Sequence, residues 1–442
     1  MTLIPYTSIF ILFVLLVVFL VPIHPNKSLL SYAVSIEGPT VKDPNLKVEV
    51  VAEGLDSPTT MSFLGPNDIL VLEKDNGTVR HIVNGTILPE PMLDVNVATD
   101  NERGMLGIAV AKNQSKVNNS TQVFLYYTES TEDGNDDCPK PSYCEEWNRP
   151  LGNNLYRYEL IDNKLLNPKL LLSLPASPGS AHNGGAILIG PDNNLYVPVG
   201  EGSFPKTLAS NVKDGLSVDG RGGILRISQD GLPILNDTVI GNSYPLSLYY
   251  GYGIRNSFGI DFDPVTKKLW DTENGPGNGD EINLVDRGFN SGWKSVQGIW
   301  KAKGYFGGEI LLEAPTDLVD FDKKGKFSFP EFTWSRAVGV TAVKFLDSDK
   351  LGEGYENDLF VAMLIPNGDI YRFDLNGDRS GLLLDKPLDD GVANSHDEVR
   401  GVVFGKDFGG ITDLEVGPDG YLYVVSYAQG KIFRIVPNNI PA

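Results

Sequence analysis

Basic residues are scarce in this chain. Its 37 Lys and Arg stand against 57 Asp and Glu, for a net charge of −20. So acidic a protein lacks the cationic face that nucleic acid requires. Cys138 and Cys144 are its two cysteines, too few for a tetrahedral zinc site and not arranged as Cys-X-X-Cys. They bracket a short Pro-containing loop, which fits a local disulfide in an oxidising compartment. Long apolar runs are missing except at residues 9–21, extended past Pro22 by Ile23. That run is nearer a signal-peptide core than a comfortable membrane span. No Lys or Arg precedes it and no small-X-small cleavage site follows at once, so residues 1–27 read as either a signal peptide or an uncleaved anchor. Seven Asn-X-Ser/Thr sequons, at Asn26, Asn76, Asn84, Asn113, Asn118, Asn119 and Asn236, agree with export. The expected location is extracytoplasmic, secreted or tethered to the outer face of the membrane.

What the chain has in quantity is Gly (48) and Pro (29), with apolar residues in short runs, the composition of turns and strands. Residues 28–45 read as a linker or entry strand. From there a theme recurs: a polar turn, an alternating strand, a second turn and a second strand. Gly65-Pro-Asn-Asp-Ile-Leu-Val71 leads to Gly77-Thr-Val-Arg80. Equivalent pairs begin at Val123 and Asn154, Gly190 and Gly223, Phe262 and Asp280, Asp358 and Asp369, and Gly417 and Gly430. Six copies spaced by roughly 65 residues predict an all-β, six-bladed β-propeller of four-stranded antiparallel blades over residues 46–438. Ring closure needs the ends to pair, and residues 48–51 are the candidate strand to complete the last blade. Insertions at residues 128–153 and 294–332 are expected to shape the channel mouth.

Histidine is rare, four in all. His182, in Ser180-Ala-His-Asn-Gly-Gly-Ala-Ile187, is placed at the start of an inner strand, where imidazole serves as a base near neutral pH. Arg255 and Asn256, in Gly253-Ile-Arg-Asn-Ser-Phe-Gly259, can hold a carboxylate or a quinone oxygen. The loop Glu273-Asn-Gly-Pro-Gly-Asn-Gly-Asp-Glu-Ile-Asn283 offers carboxylates and carbonyls to a hard cation. A structural turn histidine, an ion pair between blades and an acidic turn are the plainer readings of the same residues.

In order and spacing these segments, with Glu102-Arg-Gly-Met-Leu-Gly-Ile108 and Gly288-Phe-Asn-Ser-Gly-Trp293, resemble the PQQ-dependent glucose/sorbosone dehydrogenases, soluble quinoprotein propellers. The resemblance implies that His182 is the general base. It implies that Arg255 and Asn256, with Asn274 beside them, bind PQQ, and that the carbonyls of Gly275 and Pro276 hold a Ca2+ that polarises the cofactor. It assigns Glu281 and the backbone near Ser291 to a second, structural Ca2+. It also implies basic residues near Ile365, Gly410 and Thr412 and an amide near Glu102, where this chain has apolar, small or acidic residues. Arg103, Arg336 and Arg400 are the candidates to replace those cations.

The expected activity is oxidation of a sugar or alcohol by PQQ, with an external electron acceptor. The alternative is a non-catalytic extracellular propeller of the same family that binds a glycan or protein. A calcium-dependent lactonase-like hydrolase is a third reading, since propellers host that chemistry too.

Overall fold

The computed structural model describes residues 38–112, 121–131, 150–365 and 367–438. The hydrophobic run, Cys138, Cys144 and the sequons at Asn26, Asn113, Asn118 and Asn119 lie outside these residues. Of the remaining sequons, Asn84 and Asn236 are exposed and Asn76 is half-buried. Among the described residues no helix is long and apolar enough to cross a membrane.

The fold is an all-β propeller. Six sheets of four to six strands follow one another along the chain, and each recurrent strand pair in the sequence is the middle pair of one sheet. The first sheet centres on Asp68–Glu73 and Thr78–Val83, the second on Thr121–Ser130 and Pro150–Ile161. The third centres on Leu195–Val199 and Gly223–Ile227, the fourth on Leu269–Glu273 and Asp280–Val285. The fifth centres on Leu359–Met363 and Ile370–Phe373, the last on Leu422–Ser426 and Lys431–Pro437. The middle strands are apolar on both faces because each sheet is sandwiched between two others. Leu195, Val197 and Val199 pack on Phe124, Tyr126 and Leu155, all fully buried. Each such side chain contributes about 1.5–3 kcal/mol of transfer free energy.

Uniform four-stranded blades are corrected by the structure. Only two of these sheets have four strands. The others gain short strands such as Phe289–Asn290, Lys326–Phe327 and Val392–Ala393. These belong to insertions whose backbone donors are satisfied by pairing with a sheet edge that would otherwise be open. Thr40–Val41, within the stretch expected as a linker, pairs antiparallel with Gly405 and Lys406. The strand Leu46–Glu53 completes the last sheet, Val48 opposite Ile435 and Val50 opposite Phe433, as the closure argument requires.

The first strand of each sheet faces a central channel, and neighbouring first strands are tied by side chains. Thr59 Oγ1 donates to Met105 O at 2.9 Å, Thr341 Oγ1 to Ile411 O at 2.6 Å, and Thr412 Oγ1 to Pro58 O at 2.9 Å. Inside the channel, Lys344 Nζ lies 2.8 Å from Glu415 and 3.6 Å from Asp261. Asp413 accepts from Met61 N at 2.8 Å. These first strands run from the channel's upper mouth to its floor, so the turns that precede them gather at the upper mouth.

Candidate functional site

Three of those turns meet around His182. It adopts φ +62°, a conformation that costs a non-glycine residue energy and that clusters at functional sites. Three contacts hold it there. His182 N donates to Glu102 Oε2 at 2.6 Å, Gly202 N donates to His182 O at 3.0 Å, and the ring Nδ1 lies 2.5 Å from Glu201 Oε1. Gly200 lets the turns approach: a Cβ there would come 2.3 Å from His182 O. His182 is not inside a strand; the short inner strand Leu188–Ile189 begins six residues later.

Glu201 is buried, and its Oε2 has no hydrogen-bond partner. A carboxylate on Nδ1 fixes the tautomer with the proton there and leaves Nε2 as the basic nitrogen. Sequence reasoning missed Glu201. Its signal was an acid between glycines, Val199-Gly-Glu-Gly202, at the end of a buried strand.

Arg255 lies in the next turn. Its backbone joins Glu201, whose N–H donates to Arg255 O at 2.9 Å. Its own N–H donates to Glu273 Oε1 at 2.6 Å, and Nη1 donates to Asn274 O at 2.7 Å and Gly275 O at 3.0 Å. The guanidinium stacks 5.5 Å from the Trp293 ring. Burial draws its pKa below the ordinary value, opposed by Glu201, Glu102, Glu273 and Asp280; an arginine stays charged there. The other candidate cations make contacts of their own. Arg103 donates to the carbonyls of Ala176 and Gly179, and Arg400 pairs with Asp397. Arg336 is exposed, in a loop whose Ala337 N donates to Gly277 O at 3.0 Å.

Asn256 is buried with both amide atoms used. Its Oδ1 accepts from Gly184 N at 3.2 Å and its Nδ2 donates to Glu102 Oε2 at 3.0 Å. Glu102 thus binds the His182 backbone and the Asn256 amide together. Asn274 donates from Nδ2 to Val340 O at 2.7 Å.

The Gly-rich loop is pinned by Asp280, which accepts from Gly275 N, Val338 N and Gly339 N at 2.7–2.9 Å. Gly275 O is held by Arg255, and Pro276 is half-buried at the loop's bend. Behind the loop, Ser291 Oγ donates to Glu273 Oε2 at 2.6 Å and lies 3.1 Å from Glu281 Oε2. Glu281 Oε1 accepts from Gly298 N at 2.5 Å. Asp271 is fully buried and neither of its oxygens is conventionally hydrogen-bonded. Burial raises the pKa of Asp271 and Glu281 well above the carboxylate range and pushes Glu273 up to about 7. These acids are stacked along one sheet. Among the described residues no three of them converge in metal-ligand geometry.

The arrangement is a carboxylate–imidazole base beside one guanidinium, with a carbonyl-rich loop at hand. For PQQ the fit is at the quinone end: Arg255 has further N–H donors besides the two bonds of Nη1. Ile365, Gly410 and Thr412 offer no cation to its carboxylates.

A model of the glucose/sorbosone dehydrogenase family matches residues 55–434. The chain is 27% identical over 396 residues to aldose sugar dehydrogenase YliI of Escherichia coli K12, covering 89% of this chain and 94% of that protein. It is 26% identical over 306 residues to quinoprotein glucose dehydrogenase B of Acinetobacter calcoaceticus, 64% of this chain and 60% of that one. In fold it is similar to the PQQ-bound aldose sugar dehydrogenase of Streptomyces coelicolor, with a TM-score of 0.59, 23% identity, and coverage of 89% and 98%.

Proposed function

The chain belongs to the glucose/sorbosone dehydrogenase family, and from that premise we propose that it oxidises a CH–OH group of an aldose or related alcohol, with its six sheets as the blades of one ring. The observation that carries this reading is the 2.5 Å contact between His182 Nδ1 and Glu201 Oε1 next to Arg255. His182 Nε2 takes the hydroxyl proton as the C–H bond gives up its hydride. Glu201 keeps the proton on Nδ1 and stabilises the imidazolium that forms. Glu102 holds the base in its strained turn and holds Asn256 against it. Arg255 stabilises negative charge developing on the hydride acceptor. PQQ, when bound, supplies the two-electron acceptor, and Arg255 would hold its quinone oxygens. A Ca2+ on the carbonyls of Gly275 and Pro276 would add the positive charge this mouth is short of. Glu281 and Ser291 would serve a second, structural Ca2+. An external acceptor reoxidises the enzyme, and export places it outside the cytoplasm, with any membrane attachment through residues 1–27.

The test is reconstitution with PQQ and Ca2+, calorimetry, and dye reduction across a panel of aldoses. His182→Ala should abolish turnover and leave PQQ binding largely intact; loss of both together would refute the base assignment. The second reading, a family propeller that binds a glycan or protein without catalysis, is favoured by one observation: Ile365, Gly410 and Thr412 stand where the family resemblance calls for cations on the PQQ carboxylates. Absence of PQQ binding at tens of micromolar with Ca2+ present would establish it over the first.

A further inference from the structure

The insertion at residues 294–332 carries two large rings that the catalytic reading leaves unused. Tyr305 is 66% exposed and Phe306 57% exposed, and they meet edge to face with centroids 4.9 Å apart. Their place is set by the Gly-rich loop. A Cβ on Gly277 would come 2.3 Å from Tyr305 Cε1, so the ring lies directly on that glycine. Gly307 N donates to Asn278 Oδ1 at 2.7 Å, fixing the other side of the ring pair to the same loop. Gly277 is two residues from Gly275, whose carbonyl holds Arg255. The rings are therefore anchored to the same loop whose Gly275 carbonyl holds Arg255.

Exposed aromatic faces that pack on nothing outward mark a contact surface, and flat rings stack on the C–H faces of pyranoses. The charges here are of both signs, Glu102 and Glu201 beside His182 and the exposed Lys301 and Lys303 beside the rings, so a polymer of one sign meets repulsion at one end of the path and a neutral one does not. We infer that Tyr305 and Phe306 form an outer subsite for a neutral oligosaccharide, whose terminal unit reaches His182 while the next unit stacks on the rings. This rests on the sugar-oxidising reading of the same mouth and names its substrate class as saccharides longer than one unit.

The test is calorimetry on the full, cofactor-free protein with a neutral gluco-oligosaccharide series from mono- to pentasaccharide. Affinity should rise about tenfold from the first to the third unit. Tyr305→Ala/Phe306→Ala should remove that rise and leave monosaccharide binding within about twofold. Tyr305→Trp should retain it, which guards against a variant that merely misfolds. Oligo-uronates should bind at least about tenfold more weakly. Affinity independent of chain length, or a double alanine variant that binds like the parent, overturns the inference. So does a double variant that spares saccharide binding and lowers only the rate with a protein electron acceptor. Two measurements separate the readings: no turnover of any aldose by the parent protein loaded with PQQ and Ca2+ sinks the catalytic reading, while dependence of binding on chain length in the cofactor-free protein upholds the subsite.

Discussion

The His182 imidazole and the Glu201 carboxylate meet at 2.5 Å through Nδ1 and Oε1, and Glu201 is itself bound through its backbone to Arg255. Base and cation are therefore placed by one short turn. Glu201→Gln keeps the size of the side chain but not the charge that orients and stabilises the ring. Its kcat should fall by about 10²-fold or more with PQQ affinity little changed. Steady-state dye reduction alongside calorimetry measures both.

Arg255 stands among acids, so cofactor loading should depend on added cation. Without Ca2+, PQQ should bind weakly. Arg255→Ala should cost roughly 1.5–3 kcal/mol of that affinity, about ten- to a hundredfold. Arg255→Lys should recover little of it, because an ammonium cannot reach both the carbonyl pair and a ligand in the guanidinium's planar geometry. A PQQ titration by absorbance, with Ca2+ and with a chelator, decides.

The buried acids behind the Gly-rich loop make stability depend on pH. Glu273 titrates near 7 in the folded chain because burial disfavours its charge. The folded state therefore holds a proton that the unfolded state has already released above its ordinary carboxylate pKa. That contribution to stability is present at low pH and is lost as pH rises through about 7. The melting temperature of metal-free protein should fall between about pH 5 and pH 8. Ca2+ should raise it more at the higher pH, when the acids are ionised. Equal calcium shifts at both ends would show that the cluster takes no cation.

Lys344 is the counter-charge of the channel, beside Glu415 and Asp261. Burial already pushes the Asp261 carboxyl up to about 6 against the pull of that ammonium. Lys344→Met leaves the buried acids without a partner and should cost about 3–5 kcal/mol near neutral pH. The loss should shrink as pH falls and Asp261 takes a proton. Chemical denaturation at two pH values measures it; a pH-independent loss would assign the lysine a packing role instead.

The all-β propeller was legible in the sequence, though not its blade-by-blade make-up, since a middle strand buried on both faces leaves its apolar run and bounding turns in plain sight. Gly190-Pro-Asp-Asn-Asn-Leu-Tyr-Val197 and Gly417-Pro-Asp-Gly-Tyr-Leu-Tyr-Val424 show this directly. The short added strands were invisible: Phe289–Asn290 and Lys326–Phe327 are two residues each, too brief for any periodicity. At the site, His182 and Arg255 were legible because rare or charged residues stood in glycine-rich turns. Glu201 was not, because one acid among 57 gains meaning only when the fold sets it beside an imidazole. Glu102 was legible as an acid out of place, but not as the clamp that joins His182 to Asn256. Asn256 and Asn274 were read as cofactor contacts, whereas both amides are engaged with the protein itself.

Leu46–Glu53 lies in register with Lys431–Pro437, so the last sheet is assembled from the two ends of the described chain. During synthesis the earlier strand must wait, unpaired, for nearly the whole remaining polypeptide to be made. Until then its partner edge does not exist, and the ring stays open with a free strand at its rim. The seam between the two ends is therefore the last pairing the described chain can make, in whatever compartment it folds.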